Sequence, residues 1–404
     1  RVLFRSGTYT VTEAQVVGFD LTDISCNGAA TYTPSGSSSW QAGDTGVSFD
    51  ISPGMNMVCT FVNVQEGGIV VAKQADPDGS DQLFTFTGDA NGSIKDNEVI
   101  EVINLVPGQY TSTETLPPGW DLTSIVCDDN NSSGDVDTAT ATFNVEPGEI
   151  VMCTFLNVQR GNVIFQKMTE GGDGTFSLSL VGNESTNTIA SSDLGTVGGS
   201  GQVTFELIPA SDEVSGETYE ASELVPEGWE LISTVCTGAN DSVKDAEAID
   251  LDPGETVTCV FTNYKDASIT VRKESQNFED RFCWDYSTPQ ESGEFCMSTF
   301  DGPAETSWGP LTYANGGFGS YSFVEQEVEG ADWILVSQSC NNGQSPADLE
   351  IGPGDDVVCT FVNVIPGAVP VNNAWALLLL VLLVMATAWR FWPTGIRKIG
   401  RAHV

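Results

Sequence analysis

The chain is 404 residues long and carries 15 Lys+Arg against 56 Asp+Glu, a formal net charge of −41. That sign excludes nucleic acid and anionic lipid headgroups as partners, because phosphate recognition needs clustered cations. With 40% apolar residues and 42 Gly, the composition excludes disorder as the default and points to short strands joined by turns.

The first segment, Arg1–Ser6, reads RVLFRS, and the last, Ile399–Val404, reads IGRAHV. One DNA string read in opposite directions encodes both, so these ends resemble a translated sequencing adapter and are set aside. The expectation is a native segment, Gly7–Lys398, that lacks its own N-terminal part. The only His, His403, falls in the set-aside end. Within Gly7–Lys398, Ser-His-Asp and Cys-His nucleophiles and His-ligated metals are therefore excluded.

Internal repetition organises what lies between. CTFVNV begins at Cys59, CTFLNV at Cys153, CVFTNY at Cys259 and CTFVNV again at Cys359. A Pro-Gly turn precedes each: SPGMNMVC, EPGEIVMC, DPGETVTC and GPGDDVVC. Further upstream a strand ends in Cys: LTDISC, LTSIVC, LISTVC and LVSQSC. Before that come GTYTVTEAQVVGF, GQYTSTETLPPGW, GETYEASELVPEGW and GSYSFVEQEVEGADW. Each complete repeat opens on an apolar strand ending in Lys: IVVAK, VIFQK and ITVRK. The units are Gly7–Gly67, truncated (unit 1), Gly68–Gly161 (unit 2), Asn162–Asp266 (unit 3) and Ala267–Gly367 (unit 4). A repeat of roughly 100 residues suits an independent small domain. Short alternating segments between Gly, Pro and Asn-Gly turns predict an all-β chain of tandem antiparallel sandwiches. Almost no linker separates the units, which predicts an extended rod.

The ten cysteines follow the repeat. Cys26/Cys59, Cys127/Cys153, Cys236/Cys259 and Cys340/Cys359 recur once per unit, and Cys283 and Cys296 are an extra pair in unit 4. No CxxC spacing of a zinc or redox site occurs. Paired recurrence predicts five intradomain disulfides in an exported protein.

Residues 368–398 change character. An uncharged apolar run from Ala374 to Trp389 comes near the lower length limit of a spanning helix. Trp375, Trp389 and Trp392 stand at its two ends, and Arg397 and Lys398 follow. Positive charge on that side predicts a single span with the acidic repeats outside the cell. The segment resembles a bacterial C-terminal sorting signal of the IPTL type, with Val369, Pro370, Val371 and Trp375 where the motif stands. That resemblance implies a sorting peptidase as partner, with a permanent single-span anchor as the plain alternative.

Side-chain alternation identifies the residues that could do chemistry. Ile69, Val71 and Lys73 share a face, as do Cys153, Phe155 and Asn157, and Tyr110, Ser112 and Glu114 share another. The apolar members face the core, so Lys73, Glu114 and Asn157 are predicted to point inward. The next units repeat the set as Lys167, Glu223 and Asn263, then Lys273, Glu325 and Asn363. Unit 1 keeps Glu13 and Asn63. Lysine ordinarily sits on solvent faces. A buried Lys shifts toward the neutral amine and a buried Glu toward the protonated acid. A neutral amine can attack the Asn carboxamide while the acid shuttles protons, giving a Lys–Asn amide between first and last strands. A hydrogen-bonded structural cluster is the alternative.

On these motifs the chain resembles prealbumin-like surface domains of the SpaA and Cna B-type class. The carriers are the first-strand Lys, the YxxxE Glu, the PxGW turn (Gly119-Trp120, Gly228-Trp229) and the FxN Asn. The resemblance implies autocatalytic isopeptide bonds in a bacterial cell-surface stalk, with no turnover chemistry. Unit 4 departs from the pattern, with EGADW in place of the Pro-x-Gly turn. The alternative function is an adhesin that recognises a protein or glycan partner. No cofactor is expected. Acidic loops with Asp76, Asp78 and Asp81, and with Asp128, Asp129, Asp135 and Asp137, are weak calcium candidates. Trp120, Trp229 and Trp333 recur once per unit and read as core or turn-packing residues.

Overall fold

The computed structural model describes residues 5–211, 217–276, 278–329 and 332–366. The segment 368–398, with its apolar run and the residues Val369, Pro370, Val371 and Trp375, lies outside the described residues. No helix among the described residues is long and apolar enough to cross a membrane.

Alternation decides which way each strand faces. The opening strand of unit 2, Gly67–Asp76, buries every second side chain from Ile69 to Ala75. The strands Gly161–Glu170 and Ala267–Gln276 follow the same rule in units 3 and 4. Two sheets then close over each inward face. Unit 2 packs a five-stranded sheet on a four-stranded one, unit 3 a five- on a three-stranded, and unit 4 four on four. Unit 1 pairs a three-stranded with a two-stranded sheet. Each complete unit has its own core. Ile69, Phe86 and Phe143 lie in that of unit 2, Phe165 and Leu180 in that of unit 3, and Trp284 and Phe323 in that of unit 4.

The purely antiparallel expectation needs one correction. In units 2, 3 and 4 the first and last strands run side by side in parallel. The reason is topological. These strands stand at opposite ends of a domain-length segment, so the connection is long enough for a parallel crossover that a hairpin cannot make. The pairing places the last strand in the middle of its sheet, flanked by the first strand and by the Cys-ending strand.

All ten cysteines are paired, as Cys26–Cys59, Cys127–Cys153, Cys236–Cys259, Cys283–Cys296 and Cys340–Cys359. Each bridge joins residues directly opposite one another on antiparallel strands. Cys127–Cys153 spans a sequence separation of 26 residues. Replacing both by Ala is expected to cost unit 2 about 3 kcal/mol, because the unfolded chain regains the loop entropy the bridge removed. Denaturant unfolding of the chain and the double variant measures this, and equal midpoints would refute it.

Candidate functional site

The first and last strands carry two of the three residues. Their parallel register sets Lys73 beside Phe155, Lys167 beside Phe261 and Lys273 beside Phe361. The Asn two positions further on then faces the same interior. Each Asn pairs across the antiparallel ladder with a leucine, Leu122, Leu231 or Leu335, and a bulge follows that leucine every time. A bulge adds local twist and re-aims neighbouring side chains. The Glu comes from the opposite sheet, where Glu114 pairs with Phe86, Glu223 with Leu178 and Glu325 with Trp284.

Burial of the cations is complete. Lys73, Lys167 and Lys273 are 1%, 0% and 0% exposed, so water does not solvate their amines. In unit 4, Lys273 Nζ donates to both Glu325 oxygens (3.0 and 3.1 Å) and to Asn363 Oδ1 (2.6 Å). The Asn363 amide in turn donates to Glu325 Oε1 at 2.7 Å. Unit 3 repeats the triangle, with Lys167 Nζ 2.5 Å from Asn263 Oδ1 and Asn263 Nδ2 2.7 Å from Glu223 Oε1. Glu223 Oε2 lies 3.4 Å from Lys167 Nζ. Unit 2 is arranged differently. Lys73 Nζ donates to the carbonyls of Gln74 and Phe155. Asn157 is near enough to Glu114 to favour its ionised form, yet neither side chain has a hydrogen-bond partner. In unit 1, Asn63 donates to Glu13 Oε1 at 2.8 Å.

Electrostatics follow from desolvation. Burial pushes Lys73 down to about 8 against the opposing pull of Glu114 and Asp96. Burial likewise pushes Lys167 down to about 8 and lowers Lys273. It pushes Glu114 up to about 7 against Lys73, and raises Glu223 and Glu325 against their lysines. Both shifts bring amine and carboxyl toward the neutral pair, the protonation state that nucleophilic attack on a carboxamide requires.

Alternation did not reveal the aromatic floor. Each Lys Nζ sits over a phenylalanine ring, Phe84 at 4.1 Å, Phe176 at 4.4 Å and Phe282 at 4.2 Å. Trp120, Trp229 and Trp333 then meet these same rings edge-on at 5.2, 5.1 and 5.2 Å. The recurring tryptophans thus back the ring that carries the cation. The available signal was a Phe shortly after each first-strand Lys, in the next strand of each unit. It was hidden because that strand reads differently each time: FTFTG, TFSLSLVG and RFCWDYS.

The acidic loops engage their carboxylates in local structure. Asp81 pairs with Lys95 at 2.7 Å, Asp128 accepts from the Met152 N–H, and Asp129 from Ser132. Among the described residues, the one cluster with metal-ligand geometry is Cys283, Glu294 and Cys296. Its two sulfurs form a disulfide.

Repeated two-sheet domains, the three complete ones each burying a Lys and an Asn on parallel first and last strands with a Glu from the facing sheet, define a class of tandem β-sandwich domains. The chain belongs to the SpaA prealbumin-like fold domain family, whose profile matches residues 2–65, 69–159 and 163–265. Unit 4 falls outside that match yet carries the same triad. No curated protein matches the chain. Among solved structures, the Bacillus anthracis TIE protein is 14% identical, with 88% of this chain and 68% of that one covered and a TM-score of 0.30. BcpA, the major pilin subunit of Bacillus cereus, is 13% identical over 74% of this chain and 100% of its own, at a TM-score of 0.31. The shaft pilin spaA of Lactobacillus rhamnosus GG is 10% identical over 52% of this chain and 100% of its own, at a TM-score of 0.20.

Proposed function

We propose that the chain is a stalk segment of an exported bacterial surface protein, stiffened inside each complete unit by a disulfide and an autocatalytic Lys–Asn amide. Five disulfides belong in an oxidising compartment, which supports export. The apolar run Ala374–Trp389 and its basic flank would hold the C-terminal end at the membrane, before or without cleavage by a sorting peptidase.

The observation that carries the reading is the closed triangle of Lys167, Asn263 and Glu223, repeated by Lys273, Asn363 and Glu325. The neutral amine attacks the carboxamide carbon, forming a C–N bond. The protonated Glu passes its proton to the departing nitrogen and takes one from the lysine nitrogen in its place. The C–Nδ2 bond breaks, and ammonia leaves. Each crosslink forms once, so no turnover is implied.

The test is the intact mass of the full chain, denatured, before and after complete reduction. The expected reduced mass is short by one ammonia for each of units 2, 3 and 4. A full reduced mass overturns the amides and leaves the disulfides as the sole covalent ties.

A further inference from the structure

The residues that join consecutive units are tied down by the same three backbone hydrogen bonds at every joint. At the first, the Gly148 N–H donates to the Gln65 carbonyl (3.2 Å), the Glu66 N–H to Gly18 (2.9 Å) and the Gly68 N–H to Glu149 (2.9 Å). At the second, Gly254 donates to Gln159 (3.0 Å), Arg160 to Gly119 (2.9 Å) and Asn162 to Glu255 (2.8 Å). At the third, Gly354 donates to Lys265 (2.8 Å), Asp266 to Gly228 (2.9 Å) and Ser268 to Asp355 (2.8 Å). The first bond of each set crosses from one unit to the next, made by the glycine of the Pro-Gly turn. The second ties the joint to the PxGW-type turn of the unit before it. The third anchors the opening of the unit after it. One residue per joint is left between the anchors.

The turn glycines share a conformational reason to be glycine, and Gly354 has a steric one as well. Gly148, Gly254 and Gly354 adopt φ of 74°, 72° and 74°, a region costly for most side chains. On Gly148 and Gly254 a Cβ would meet only the movable ends of the Gln65 and Gln159 side chains of the preceding unit. On Gly354 it would meet the Gly171 backbone. Side chains add to two joints. Arg160, held by Asp121 at 2.7 Å, reaches the Leu207 carbonyl of unit 3 at 3.3 Å. The Glu230 carboxylate accepts from the Ala314 N–H of unit 4 at 2.9 Å, and Tyr264 meets Tyr313 edge-on at 5.9 Å.

After unit 4 the matching positions are Ile365 and Pro366, and EGADW replaces the glycine turn. Proline has no N–H to donate, so the second bond of the set has no donor there.

We propose that the Pro-Gly turn of units 2, 3 and 4 is a docking surface for the end of the preceding unit's last strand. This docking locks the four units into one stiff body. The proposal is independent of the amide crosslinks, which lie inside units.

Small-angle scattering of the full chain tests it with two variants. Gly354→Asn keeps a residue that tolerates positive φ but sets a Cβ against the Gly171 backbone. Insertion of two glycines between Arg160 and Gly161 frees the joint and leaves the Pro-Gly turn intact. The wild type is expected to show one narrow distribution of maximum dimension. Both variants are expected to spread it toward shorter values, with the reduced intact mass and the melting of unit 3 unchanged in the insertion variant. If Gly354→Asn unfolds unit 4, the insertion variant alone decides. A wild type that scatters as a flexible string, or an insertion variant identical to wild type, overturns the proposal whatever the mass shows.

Discussion

Glu114→Gln is expected to leave unit 2 without the amide proposed for it and about 4 kcal/mol less stable than the crosslinked chain, because a closed loop of roughly 60 residues reopens in the unfolded chain. The disulfide Cys127–Cys153 lies inside the Lys73–Asn157 loop and already shortens it, which is why the figure stays near 4. The variant also acquires a pH dependence that the wild type lacks. Burial lowers Lys73 from 10.5 to about 8 in the fold. Between those values the unfolded chain binds more protons than the folded one, so the variant's stability rises with pH. That contribution is complete above 10.5 and is lost as pH falls through the folded value. Loss of Glu114 removes an attraction that raises the Lys73 value, so the rise begins lower still. A lysine already joined to Asn157 has no amine to titrate. The gap between variant and wild type is therefore expected to narrow from pH 8 or below up to about pH 10.5, and to hold constant above it. Denaturant unfolding at several pH values, with the mass of each sample, measures both effects. A Glu114→Gln chain that lacks its ammonia and matches wild-type stability would sink the role of Glu114.

Trp284→Ala is expected to cost unit 4 about 3–5 kcal/mol, the range for emptying a large buried aromatic site. Trp284 is fully buried, stacks on Phe295 at 5.2 Å, meets Phe361 edge-on at 5.6 Å and lies 5.9 Å from Lys273 Nζ. The melting transition of unit 4 should fall by about 15 °C or more. Those of units 2 and 3 should hold, because additivity applies between sites with no shared partners. Trp284→Phe should cost much less. It keeps an aromatic ring and removes an indole N–H that is buried without a partner, whose desolvation is a cost in the folded state. Calorimetry resolves the transitions, and equal losses for the two variants would show that ring packing is not what Trp284 supplies.

The triad shows how far alternation reaches. Period-two reasoning turned Lys73, Glu114 and Asn157 inward, and all three are buried at 1%, 3% and 0% exposure. It worked because strands alternate strictly and because Ile69, Val71 and Phe155 leave no doubt about which face meets the core. Alternation could not place the third member against the other two, since Glu114 comes from the opposite sheet. Nor could it find Phe84, Phe176 and Phe282, whose role depends on a ring lying under an amine across the sandwich. The difference between unit 2, where Lys73 turns to backbone carbonyls, and units 3 and 4, where the triangle closes, arises between near-identical motifs. The joints were equally hidden, for a backbone N–H carries no side-chain signature.

The sequence by itself determined the number of units, their strand pattern, the cysteine pairs and the inward face of each Lys and Asn. These follow from local periodicity and from repetition, which need no knowledge of what packs on what. Only the tertiary structure decided that first and last strands run parallel, that a Glu from the other sheet completes each set, and that a turn glycine grips the preceding unit. Those facts depend on contacts between segments tens of residues apart, and such contacts are fixed by how two sheets close over a shared core.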